Sequence, residues 1–213
     1  MLPVNAFAPK RLAALLLGLS LLAACGGTIA DLDEPVEPLG DFYFGHNIVV
    51  ADNAEAGPLS RSAEPEEWKE VLTQEIDRRF RRFDGDRYYH LAVNVEGYIL
   101  AVPGIPVVAA PQSALIFTVT VWDDAAGGKI NEEPHRIVVL ENLSGATIIS
   151  SGLTQTREQQ MENLAINAAS HIERWLRRNI HWFEGDPDAP PVDAEEDAAD
   201  PEVASLLEDM GED

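Results

Sequence analysis

Cysteine is nearly absent: the 213 residues contain one, Cys25. A single thiol excludes an internal disulfide framework and any zinc cluster built on cysteine pairs. Basic residues are also scarce, with 15 Lys and Arg against 37 Asp and Glu, a formal net charge of −22. Phosphate backbones need clustered positive charge, so nucleic acid is excluded as a natural partner. No apolar run is long enough to span a bilayer. The longest, Leu12 to Ala24, is about a dozen residues, short of the roughly 20 that a hydrocarbon core of about 30 Å requires.

Several motifs of chemistry are missing as well. No Gly-x-Ser-x-Gly elbow is present, and Gly127-Gly128-Lys129 lacks the rest of a phosphate loop. Of the five histidines (His46, His90, His135, His171 and His181), no pair has the i, i+4 spacing of a helical zinc site. Asp84 with Asp86, and Asp123 with Asp124, do not continue into a calcium loop and read as turns. No cofactor or metal is expected, and nothing raises the prospect of catalysis.

What is present begins with the N-terminal stretch. Lys10 and Arg11 precede the apolar run, in the manner of a secretory signal. The run ends in Leu22-Ala23-Ala24-Cys25, which resembles the lipobox of bacterial lipoproteins at each position. The resemblance covers only the signal and the cysteine. It implies cleavage before Cys25, acylation of its sulfur and new N-terminus, and attachment to a bilayer. Several acyl chains suffice for stable anchoring, at about 0.8 kcal/mol per buried CH₂. Gly26 stands where members of that class retained in the inner membrane often carry Asp, which leans towards the outer membrane. The expected site is the bacterial envelope, facing the periplasm.

The chain then divides into residues 1–24 as signal, 25–40 as a lipidated flexible tether, 41–184 as one domain, and 185–213 as an acidic tail. From Glu184 to Asp213 there are thirteen acidic residues and no basic one. Such a composition buries too little apolar surface to fold alone. The acidic surplus is expected to hold the body off anionic headgroups.

Within the domain, His46 to Ala51 reads as a strand. Pro65 to Phe83 reads as a helix, with Trp68, Val71, Leu72, Ile76, Phe80 and Phe83 on one stripe. Asp84-Gly85-Asp86 stops it, with Gly85 as a left-handed cap. Arg78, Arg79, Arg81 and Arg82 complement the helix dipole on a solvated face. Tyr88 to Val102 reads as a long strand or a bent hairpin arm, with Gly97 the candidate position for a bulge. Ala114 to Asp123 is the clearest strand, Asp124 to Lys129 a hairpin turn, and Arg136 to Asn142 the returning strand. Ala146 to Ser151 is ambiguous, compatible with a short edge strand. Thr156 to Ile180 is a second helix, opened by a Thr156–Gln159 capping box.

The order β-α-β-β-β-α predicts an α+β two-layer sandwich: a mostly antiparallel sheet of about four strands with both helices on one face. The layout is similar to small sheet-and-two-helix domains of lipoprotein helpers in ABC transport and envelope assembly. Those imply a non-enzymatic accessory or assembly factor that acts through protein or lipid contacts, with an envelope protein as the expected partner. The alternative is a periplasmic enzyme or solute-binding protein with a pocket that sequence does not reveal. The expected contact surface is the apolar loop Val102 to Pro111, through Val102, Ile105, Val107 and Val108. Ile116 and Trp122 are expected to join it on the sheet face left bare by the helices.

Overall fold

The computed structural model describes Leu32 and residues 35–102, 113–141 and 155–184. The signal, Cys25, the loop residues Ile105, Val107 and Val108, the Ala146–Ser151 segment and the acidic tail lie outside the described residues. No described helix is long and apolar enough to cross a membrane.

The order is β1 (Phe42–Val50), β2 (Glu55–Ala56), α1 (Pro65–Phe80), β3 (Arg87–Ile99), β4 (Ala114–Asp123), β5 (Gly128–Lys129), β6 (His135–Leu140) and α2 (Arg157–Arg178). A 3₁₀ turn, Ile180–Phe183, closes the body. The architecture is α+β, as expected, but the six-stranded sheet is mixed. β1 and β2 both pair parallel to β3, one after the other along its edge. β4 pairs antiparallel with β3, β5 and β6. The sheet is thus four strands wide. The sheet is mostly antiparallel, as expected; β1 and β2 are the parallel exceptions because α1 lies between them and β3. A crossover of that length returns the chain in the same direction.

One face of the sheet is covered. Leu91, Val93 and Val95 on β3 sit opposite Val121, Val119 and Phe117 on β4, and Phe117 opposite Ile137 on β6. All are buried, in one cluster with Trp68, Leu72, Ile76 and Phe80 of α1 and Leu164, Ala168, Ile172 and Leu176 of α2. Each such large side chain contributes about 1.5–3 kcal/mol by leaving water. Phe42 stacks on Tyr89, ring centroids 5.4 Å apart, and meets Phe183 edge-on at 5.1 Å.

Salt bridges join the helices at both ends. Arg157, first in α2, reaches Glu67 in the first turn of α1 at 2.5 Å. Arg79, near the end of α1, reaches Glu173 near the end of α2 at 2.7 Å. The helices therefore run parallel, which aligns their dipoles. Acids at the N-terminal turns and arginines at the C-terminal turns offset that cost. Arg79 is only 3 % exposed, so this member of the arginine cluster belongs to the interior and not to a solvated face. Glu173 also accepts from Arg177 at 2.9 Å, which satisfies its second oxygen.

Local signals act largely as expected. Thr156 Oγ1 accepts from the Gln159 amide at 3.2 Å, and Gln159 Oε1 accepts from the Thr156 amide at 3.0 Å. The β3–β4 register shifts between Val95 and Gly97, a bulge. Gly127 takes a φ of +62° in the turn after β4. Gly85 differs from expectation: it is not among the described residues with positive φ. Its need for a bare Cα is steric, since a Cβ there would stand 2.2 Å from the Asp41 carbonyl carbon. Helix α1 stops at Phe80, while Phe83 stays buried beyond it.

Candidate functional site

The other face of the sheet is uncovered over half its extent. Strand alternation puts Tyr43, Ile48 and Val50 of β1, Tyr88 and His90 of β3, and Trp122 of β4 on this side. The register sets Tyr43 beside Tyr88, Ile48 beside Ala92, and His90 opposite Trp122. Six large apolar side chains are exposed among the described residues: these five and Leu59. Trp122 is 40 % and Ile48 56 % exposed. Five of six on one sheet face is a concentration that scattered surface residues do not produce.

The patch is locally ordered. Tyr43 and Tyr88 meet edge-on with centroids 4.8 Å apart. The imidazoles of His46 and His90 lie 4.0 Å apart. The His46 amide donates to His90 Nδ1 at 3.2 Å, and His90 Nε2 faces Asp124 Oδ1 at 3.3 Å. Accepting at Nδ1 puts the proton of a neutral His90 on Nε2, where it points at the carboxylate. This arrangement depends on an irregularity in β1. The pairing with β3 shifts between Phe44 and Asn47. Gly45 lies within it, and a Cβ there would stand 2.3 Å from the His90 ring. No group of three or more His, Cys, Asp or Glu side chains placed to hold a metal ion is found among the described residues.

The structure separates the residues expected to act together. Trp122 is in the open patch. Val102, half-buried, is at the far end of the sheet. Ile116 was expected to be bare, but it is 2 % exposed. The reason is that the outer face is not uniform. Beyond the Gly97 bulge, Ile99 and Ala114, which pair with each other, are buried along with Ile116. The open half lies at the opposite end of β4, about 20 Å away at roughly 3.4 Å per residue. Tyr43, Ile48, Val50 and Tyr88 were not singled out from sequence. Alternation in Phe42–Val50 was the available signal, and Gly45-His46 interrupts it.

A second polar cluster sits at the buried end. Arg61 Nη2 donates to Gln160 Oε1 at 2.5 Å, and Gln160 Nε2 donates to the Ala101 carbonyl at 3.4 Å. The Ala101 amide donates to Ser113 Oγ at 3.3 Å, and the Glu141 amide to the Ser113 carbonyl at 2.8 Å. Glu141 is 6 % exposed and its Oε1 has no hydrogen-bond partner among the described residues. Burial pushes its carboxyl above the ordinary value, against a smaller opposing effect of the Ser113 hydrogen bond and of Arg61. A carboxyl of this kind favours its neutral form.

No family model matches the chain. No curated protein matches it either. Solved structures of similar shape include a Caulobacter crescentus protein described provisionally as a lipoprotein. It is 18 % identical, with a TM-score of 0.35, covering 68 % of this chain and 93 % of that one. A Xanthomonas campestris protein of the DUF330 family is 12 % identical, with a TM-score of 0.42, covering 67 % and 87 %. A minor lipoprotein from Acinetobacter baumannii is 14 % identical, with a TM-score of 0.31, covering 65 % and 94 %. All three scores fall below 0.5, so these likenesses carry no argument about what this chain does.

Proposed function

We propose that this chain is a lipid-anchored protein of a bacterial envelope that works by contact and not by catalysis. Cys25 is the acylated residue, and Gly26 favours the outer membrane, with the body facing the periplasm. The role is that of an accessory or assembly factor. One observation carries the contact reading: among the described residues, five of the six exposed large apolar side chains share one face of the sheet. That face, through Tyr43, Tyr88, Ile48, Val50 and Trp122, is the working surface.

Two variants test the reading separately. Cys25→Ala should move the protein from the membrane pellet to the soluble fraction; a variant that still sediments with membranes removes the anchor. Tyr88→Ser with Trp122→Ser should keep the native melting temperature and lose the envelope component that the native chain holds. Unchanged retention of that component by the double variant removes the open face as the working surface.

A further inference from the structure

We infer that the occupant of the open face is the interfacial zone of the bilayer that holds the anchor, an inference that rests on the anchored reading above. The argument starts from where the chain enters the fold. Leu39 is buried in the core and Phe42 opens β1, so Tyr43 is the first side chain on the open face. Leu39 lies fourteen positions after Cys25, a reach of at most about 50 Å. The anchor therefore keeps this end of the sheet near the headgroups at high effective concentration. Under that condition a weak surface affinity is enough to hold the face down.

The chemistry of the face suits that zone. Tyr43, Tyr88 and Trp122 have apolar rings and polar tips, the residue types that settle at headgroup depth. Ile48 and Val50 add aliphatic surface between them and the far end of β1. Charge is sparse. Glu96 and Arg136, which the register places beyond Asn94 and Thr118, are paired at 2.8 Å. Lys129 stands opposite Trp122 in the register, and Asp124 faces His90. Residues 35–184 as a whole carry 22 acidic against 13 basic residues, a net of −9. The acidic excess therefore lies mainly elsewhere on the body. The repulsion from headgroups expected from composition acts on other surfaces, and this one can approach.

The experiment uses the full-length acylated chain, purified in detergent and reconstituted into vesicles of phosphatidylethanolamine and phosphatidylglycerol. Part of the lipid is replaced by phosphatidylcholine brominated along its chains, which quenches tryptophan at contact distance. Of the four tryptophans, Trp68 and Trp175 are buried and Trp182 is half-buried, leaving Trp122 as the exposed reporter. The native chain should lose part of its emission in brominated vesicles, and Trp122→Phe should lose that sensitivity. Ile48→Glu with Tyr88→Glu should stay on the vesicles yet show no quenching. Native protein that floats with the vesicles but is unquenched overturns the docking and leaves the anchor standing. Lys129–Lys129 cross-links between two copies, with Trp122 unquenched, overturn it in favour of a second copy. Native protein that leaves the vesicles sinks the anchor and the docking together.

Discussion

The two faces of this sheet are built from the same strands and alternate residue by residue, yet they have opposite fates. On the inner face, Phe117, Val119 and Val121 alternate with the outer Thr118, Thr120 and Trp122. The inner set is sealed by two helices that run parallel and are joined at both ends by salt bridges. Half of the outer set is buried as well, around Ile99, Ala114 and Ile116. The other half keeps its aromatic side chains in solvent. The difference teaches that hydrophobicity alone does not identify core. Ile116 and Ile48 are the same residue on the same face, one 2 % and the other 56 % exposed. Place in the sheet separates them: Ile48 is on the outermost strand, level with Thr120, and Ile116 is four residues further along the central strand β4.

The sharpest break of the comparison exchanges like for like across the sheet. Phe117→Ala should cost about 3–5 kcal/mol in chemical denaturation, as loss of a sealed aromatic does. Trp122→Ala should stay within about 1 kcal/mol, although it removes a larger ring. Equal losses would mean that the outer face is core. Arg79→Ala tests the layer that seals the inner face. It leaves the buried Glu173 with Arg177 as its one remaining arginine partner and should cost about 2–3 kcal/mol. The double variant Arg79→Met with Glu173→Leu should recover much of that loss, since neither charge is then left unpaired. Gly45→Ala should act on the open face only. Its Cβ displaces the His90 ring, with a loss of about 1 kcal/mol and a shifted His90 imidazole resonance. Adding His90→Ala should restore the stability.

The smallest effect belongs to Glu141, at the buried end of the outer face. Burial raises its folded carboxyl above the unfolded value. Its contribution to stability is therefore whole below the unfolded pKa and is lost as pH rises through the folded one. Glu141→Gln should raise the melting temperature at about pH 8 and make no difference below about pH 4. A variant that is less stable at the higher pH would show instead that the ionised carboxylate is the favoured form.

Much of this fold was legible because its elements carry strong local signals. Pro65, the Trp68–Leu72–Ile76–Phe80 stripe and the Thr156–Gln159 box determine the helices without reference to the rest of the chain. Gly97 announced the bulge. Partners distant in the chain were not legible. Nothing near Arg79 indicates Glu173, 94 residues later, so an arginine in a basic run looked like surface. The parallel pairing of β1 is implied by the length of its crossover to β3 through α1, whereas the other connections are short. Of the expected contact residues, Trp122 is exposed and Ile116 is not. The open patch needs β1, β3 and β4 side by side, and register between strands is not written in any one of them.

A clasp joins the two ends of the described body. The Asp41 amide donates to the Phe183 carbonyl at 2.9 Å, Arg177 Nη2 donates to the Glu37 carbonyl at 3.0 Å, and a side chain at Gly40 would collide with Phe183. A pull on the chain ahead of residue 35 thus meets the last described turn before it reaches the sheet. Tension is shared between the start of β1 and the end of α2, so the strand resists peeling from its neighbour when that segment is drawn taut.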